Sequence, residues 1–192
     1  MKQTTSVRRL TLGAALLALG LVLPFITGQI QAISRWISPM HIPALICGLT
    51  CGPVMGLIVG FITPLLRGLL FGMPPIPNIA LPMAFELAGY GLVAGLCYPA
   101  LLRAMKNKNH LPALLIALVI AMVAGRVIGG SAKALLLALG VIGANSPFTI
   151  AAFLTSYFVE TAPGAAIHII LIPAVVLALE RAHLSPLAEE AV

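Results

Sequence analysis

Long apolar stretches, separated by short groups of glycine, proline and charged residues, make up most of the chain. A helix needs roughly 20 apolar residues to cross a bilayer, and most of these stretches reach that length. The pattern therefore predicts an all-α, polytopic membrane protein in which residues 1–192 form one integral membrane domain. Glycines, prolines and charges divide it into six predicted spans, over residues 8–30, 41–52, 54–72, 79–103, 111–140 and 147–180.

The second predicted span is short, at about 12 residues, and it ends at Gly52-Pro53, a strong helix-breaking pair. If it is counted as a span, the six-helix bundle has both termini on the same side of the membrane. An alternative treats residues 41–72 as one kinked helix, which leaves five spans.

Charged residues are few, and their placement predicts the orientation. Only 8% of the residues are charged, against about 25% in an average soluble domain, and the mean hydropathy is +1.10. This composition excludes a nucleic-acid binder, a secreted disulfide scaffold and almost any soluble enzyme. With six spans, the basic clusters fall on the side of the termini, which the positive-inside rule assigns to the cytoplasm. These residues are Lys2, Arg8, Arg9, Arg103, Lys106, Lys108 and Arg181.

Four charged residues nevertheless lie within the predicted spans: Glu86, Arg126, Lys133 and Glu160. A charge in hydrocarbon is costly, so it normally faces protein or a water-filled cavity. The two acids and two bases could pair with one another and lock the helices together. Alternatively, they surround a solute that enters from outside. Arg67, near the outer end of the third span, makes the group net positive, which suits a ligand that carries a carboxylate.

The three predicted outer connections are rich in proline and poor in charge. Such rigid segments are either plain connectors or a lid over a pocket that opens outward. His168, on the last span, is expected to be a packed, hydrogen-bonded histidine rather than a proton relay. The predicted substrate-binding residues combine these connections with the polar residues of the spans: Trp36, His41, Arg67, Asn78, Glu86, Tyr90, Arg126, Lys133, Asn145 and Glu160.

The catalytic and nucleotide-binding motifs that we looked for do not occur in the sequence. It contains no phosphate-binding Gly-x-x-x-x-Gly-Lys-Ser/Thr loop, and no Gly-x-Ser-x-Gly or His-Glu-x-x-His motif. Cys47 and Cys51 lie one helical turn apart, but no nearby residues complete a metal site. We therefore expect no catalytic centre, no cofactor and no metal. A small polytopic protein of this kind is most simply a binding subunit.

Small residues recur at four-residue spacing and predict where helices pack closely. Gly48, Gly52, Gly56 and Gly60 form the longest such series, and small residues let helix backbones approach each other in lipid. Ala14 and Ala18 differ, because they form an isolated small patch on a helix that is otherwise mostly leucine. This patch could dock a second membrane protein.

Residues 38–98 resemble the substrate-binding (S) components of energy-coupling factor (ECF) vitamin transporters, in the branch that includes folate, pantothenate and cobalamin S components. The similar segments are Ser38-Pro-Met-His-Ile-Pro43, Gly60-Phe-Ile-Thr-Pro-Leu-Leu-Arg67, Leu70-Phe-Gly-Met-Pro-Pro75 and Ala84-Phe-Glu-Leu-Ala88. The resemblance implies a multi-pass protein of a prokaryotic cell membrane. It also implies capture of a vitamin-like solute beneath the outer loops and docking on a transmembrane coupling protein driven by two cytoplasmic ATPases. Ala14-Ala-Leu-Leu-Ala18 matches the family's Ala-x-x-x-Ala motif for that docking.

The resemblance does not identify the substrate, because S components for different vitamins diverge in the pocket. Arg67, Arg126 and Lys133 favour an anionic molecule such as pantothenate, with folate next and cobalamin as a further alternative. A membrane interaction or sensor protein with no transported solute is the competing function. A membrane enzyme that uses Glu86 or Glu160 as an acid is disfavoured, because no nucleophile or activated-water site accompanies either residue.

Overall fold

A computed structural model describes residues 2–26, 37–105, 109–143 and 149–191, and these ranges contain helices and no strands. The prediction of an all-α membrane bundle is confirmed. Five helical segments are long and apolar enough to cross a membrane, and a shorter apolar helix lies among them. The elements are α1 (Lys2–Ile26), α2 (His41–Cys51), α3 (Pro53–Phe71), α4 (Ala80–Met105), α5 (Leu111–Ala138), α6 (Ile150–Leu154), a π-helical turn (Thr155–Val159), α7 (Ala162–Arg181) and α8 (Pro186–Ala191).

Glycine and proline set the boundary between α2 and α3. Gly52 has φ +98°, a backbone conformation that side chains rarely adopt, and Pro53 begins the next helix. The second predicted span is therefore a separate short helix, and residues 41–72 do not form one kinked helix. We call the end of the bundle at which α1 finishes and α2 begins the outer end, following the predicted orientation, and the opposite end the inner end.

Helix α4 packs against α2, α3 and α5, and its glycines allow backbone contact. A Cβ atom on Gly91 would lie 2.2 Å from the carbonyl oxygen of Gly56, and one on Gly48 would lie 2.3 Å from the carbonyl oxygen of Gly91. Three backbones thus meet where only hydrogen fits. The glycine spacing seen in the sequence serves this packing.

We expect Gly91→Ala to destabilise the bundle by at least about 3 kcal/mol, the upper part of the range for overpacking, because its new methyl group meets backbone that cannot rotate away. Thermal unfolding in detergent, followed by loss of monodisperse protein, measures the effect. Gly143→Ala is the matched control, since no atom of the described residues lies within 4 Å of a Cβ atom at Gly143. Equal unfolding temperatures for the two variants would contradict this packing.

All eleven residues of α2 are buried, and the end of the chain helps to cover its inner end. Ser185 and Leu187 are buried, and Leu187 Cδ1 lies 3.6 Å from the position of a Cβ atom on Gly52. Helix α8 was not predicted from the sequence, because it is short and not strongly apolar. Its burial allows α2 to be much shorter than the bilayer is thick.

A hydrogen-bonded group joins three helices near the inner end. The Tyr98 hydroxyl on α4 donates to Glu180 Oε1 on α7, and His110 Nδ1, just before α5, lies 2.9 Å from Glu180 Oε2. Both carboxylate oxygens of Glu180 therefore have partners. This group holds the inner ends of α4, α5 and α7 together.

The last predicted span, residues 147–180, is not one continuous helix. It consists of α6, the π-helical turn and α7, with a turn at Glu160 and Thr161. Pro163 lies in the first turn of α7, where its missing N–H is tolerated, and its ring disfavours an unbroken helix through this point. The predicted span corresponds to one apolar segment long enough to cross a membrane, Ile150–Arg181, and the break within it was not predicted. Residues 144–148 lie outside the described part of the chain.

Candidate functional site

Glu86 is the centre of a buried polar cluster in the outer half of α4. Its Oε1 accepts a 2.7 Å hydrogen bond from the hydroxyl of Tyr90, which lies one turn further along the same helix. Tyr90 is 2% exposed and Glu86 is 9% exposed. The two residues were predicted to share a helix face, and the structure places them together.

His41 joins this cluster from the first residue of α2. Its Nε2 lies 3.5 Å from Glu86 Oε1, and its ring centroid lies 5.1 Å from that of Tyr90. His168, on α7, stacks beside it with ring centroids 6.0 Å apart and an angle of 22° between the planes. His168 is buried, as expected of a packed histidine, but its place beside His41 was not predicted.

Arg126 reaches the same cluster from α5, because glycines on that helix make room for α4. A Cβ atom on Gly125 would lie 2.1 Å from the Tyr90 ring, and one on Gly129 would lie 2.6 Å from the Cβ atom of Glu86. Tyr90 and Glu86 therefore fit into notches on either side of Arg126. These glycines bring the arginine into electrostatic contact with Tyr90.

The Arg126 guanidinium is buried, and the described part of the chain contains no carboxylate oxygen within 4.0 Å of it. It lies over the face of the Phe158 ring, 5.4 Å from the centroid, and its Nε has no hydrogen-bond partner among the described residues. A cation–π contact is weaker than a hydrogen-bonded ion pair in a buried site. The mutual pairing that the sequence left open is therefore not formed between Arg126 and Glu86.

Two further buried nitrogen atoms lack partners near Arg126 Nε. His41 Nδ1 and His168 Nε2 are inaccessible and form no hydrogen bond with the residues that the structure describes. Buried polar groups are hydrogen-bonded in the great majority of cases, so each exception needs an explanation. The three atoms, on α2, α5 and α7, lie in one cluster, which therefore offers polar groups that a bound polar molecule would satisfy.

The other predicted site residues lie on further segments of the bundle or beyond the described ranges. Asn78 Oδ1 accepts a 3.1 Å hydrogen bond from the Gly143 N–H, which links the two connections that precede α4 and follow α5. Lys133 lies two turns further out than Arg126 on α5, and Glu160 directly follows the π-helical turn; both are half-buried. Trp36 and Asn145 lie outside the described residues.

Arg67 is turned towards α1. It is 2% exposed, and its Nη1 donates a 2.6 Å hydrogen bond to the Leu21 carbonyl oxygen. Its guanidinium lies 4.7 Å from the centroid of the Phe25 ring and 5.4 Å from that of Phe71. These contacts favour a role in holding α1 against α3.

We expect Arg67→Gln to lower the free energy of unfolding by about 2 kcal/mol, because a buried charged hydrogen bond and two ring contacts are lost. Solute affinity should change less than about threefold, an effect below 1 kcal/mol. Thermal unfolding and equilibrium binding of the same preparation measure the two effects. A large loss of affinity with unchanged stability would instead assign Arg67 to the substrate, as the sequence suggested.

The described ranges contain no group of three histidine, cysteine or acidic residues that could hold a metal ion. The fold and the polar cluster together define a multi-pass helical membrane protein. Residues 8–179 match the family described as ECF transporter, substrate-specific component, and the chain belongs to that family. Its members are substrate-binding subunits of transporters and not enzymes. No curated protein and no solved structure matches the chain.

The family assignment confirms the resemblance based on residues 38–98 and extends it over most of the sequence. It does not resolve the vitamin branch. The folate, pantothenate and cobalamin branch therefore stays a prediction, as does the identity of the solute.

Proposed function

We propose that this chain is the substrate-capture subunit of an ATP-driven ECF importer and that it binds an anionic, vitamin-like molecule from outside. Members of the family bind a small-molecule substrate and associate with an ECF module. Pantothenate is our first candidate, followed by folate. The observation that carries the proposal is the buried Arg126 guanidinium, which has no carboxylate within 4.0 Å among the described residues.

Burying the Arg126 guanidinium without an anion beside it costs free energy. A buried cation is expensive unless it is hydrogen-bonded and paired. Phe158 contributes a cation–π contact but no anion. A carboxylate on the solute would supply the missing charge and accept hydrogen bonds from the guanidinium, which is the strongest type of polar contact available there.

The proposed binding residues form two groups. His41, Glu86, Tyr90 and Arg126 form the polar wall of the site. We propose that Trp36, Asn78, Lys133, Asn145 and Glu160 line the entrance to the site.

The proposed partners are a transmembrane coupling protein and two cytoplasmic ATPases. Ala14 and Ala18 support this part of the proposal, because both are exposed on α1, whereas Gly13 and Leu16 are buried. A small-residue surface on the outside of the bundle allows a partner helix to approach closely.

Mass spectrometry of small molecules that co-purify with the detergent-solubilised chain tests the proposed capture function. We expect an acidic small molecule at close to one equivalent per chain. If no small molecule co-purifies, and neither pantothenate nor folate binds the purified protein, the capture function is wrong.

A further inference from the structure

The presence of the Glu86 carboxylate in a site proposed to bind an anion needs a physical explanation. Glu86 lies in the same cluster as Arg126, and its negative charge would repel an anionic solute. If the solute were only an anion, an apolar or basic residue would serve better at this position.

The two oxygens of Glu86 have different surroundings. Oε1 accepts the hydrogen bond from Tyr90 and faces His41 Nε2 at 3.5 Å. Oε2 receives no hydrogen bond from any residue in the described part of the chain. Tyr90 and His41 thus fix the carboxylate in place and leave one strong acceptor unused.

The relative positions of Glu86 and Arg126 limit the size of a molecule that contacts both. Gly129, which receives the Glu86 side chain, is one helical turn beyond Arg126 on α5. One turn corresponds to about 5 Å along the helix axis. The Glu86 side chain therefore meets α5 about one turn from Arg126 without forming an ion pair with it, and we infer that one small molecule can contact both residues.

We propose that the solute has two poles, a carboxylate that binds Arg126 and a hydroxyl or amine that donates to Glu86 Oε2. This assignment rests on the capture function proposed above and narrows its substrate class to acids with a nearby N–H or O–H donor. A simple dicarboxylate is rejected because its second acid group would meet Glu86. A neutral alcohol is rejected because it leaves Arg126 without an anion.

The test uses the small molecule that co-purifies with the wild-type chain, identified by mass spectrometry, and its carboxyl methyl ester. Isothermal titration measures both dissociation constants on solute-free wild-type protein and on Glu86→Gln. We expect the molecule to contain both groups and the ester to bind at least tenfold more weakly to wild type. Glu86→Gln keeps the shape of the side chain and should weaken binding of the unmodified molecule at least tenfold.

Glu180→Gln is the matched control, because it alters a hydrogen-bonded carboxylate at the inner end of the bundle and should leave affinity unchanged. A co-purified molecule that lacks either pole, or wild-type affinity in Glu86→Gln, would overturn the two-pole assignment while the capture function stands. If Glu86→Gln does not yield folded protein, wild-type protein tests the same point with the co-purified molecule methylated at its N–H or O–H donor, which should bind at least tenfold more weakly, and equal affinity would overturn the assignment.

Discussion

Arg126→Gln is expected to weaken solute binding at least about 100-fold while the bundle remains folded. Truncating one partner of a buried, hydrogen-bonded charge pair costs about 2–5 kcal/mol, and 100-fold corresponds to about 2.7 kcal/mol. Stability should fall less than in Arg67→Gln, because Arg126 forms no ion pair with the described residues and contacts one aromatic ring, that of Phe158. Equilibrium binding and thermal unfolding of the same variant provide the measurement.

Arg103→Gln is the control for this experiment. It makes the same change at an exposed position near the inner end of α4, far from the polar cluster, and should bind as wild type does. Arg126→Lys should retain part of the affinity, because the charge remains but the two-pronged geometry of the guanidinium is lost. If Arg126→Gln binds the solute normally, the arginine is a structural residue and the proposed site is misplaced.

The double variant Ala14→Leu, Ala18→Leu is expected to reduce solute uptake below a tenth of wild type without changing solute affinity. Both residues are exposed on α1, on the side of the helix away from buried Gly13 and Leu16. Added bulk there would keep the coupling protein from approaching, whereas the polar cluster involves α2, α4, α5 and α7. Uptake by cells and binding by purified protein must be measured together.

Ala174→Leu provides the matched control, because Ala174 is also exposed but lies on α7. Its uptake should equal that of wild type. If the α1 double variant loses binding as well as uptake, this surface supports the fold of the bundle. If its uptake is normal, the coupling protein docks elsewhere.

The sequence was sufficient for the helix order, because glycine and proline mark most of the breaks that the structure contains. The Gly52-Pro53 pair separates α2 from α3 as expected. The break in the last span was not predicted, because the chain is apolar on both sides of Glu160, although Pro163 marks the start of α7. Helix α8 was missed because its burial depends on tertiary contact with the inner end of α2.

The polar cluster was predictable only in part. Charge within a span identified Glu86 and Arg126, and helical spacing added Tyr90. Rotation of one helix against another is not visible in a sequence, so the stacking of His168 on His41 and of Phe158 on Arg126 was not foreseen. For the same reason Arg67 was grouped with the site, although its donor faces the Leu21 carbonyl of α1.

In our proposal Arg126 forms no ion pair with the described residues because its partner is the carboxylate of a solute. An experimental structure of the chain, purified with the molecule it retains, tests this most directly. We expect density for a small acid between α4 and α5, with its carboxylate within hydrogen-bond distance of the Arg126 guanidinium. A tightly packed site without a bound molecule, in which Arg126 forms an ion pair with Glu86 or Glu160, would contradict it.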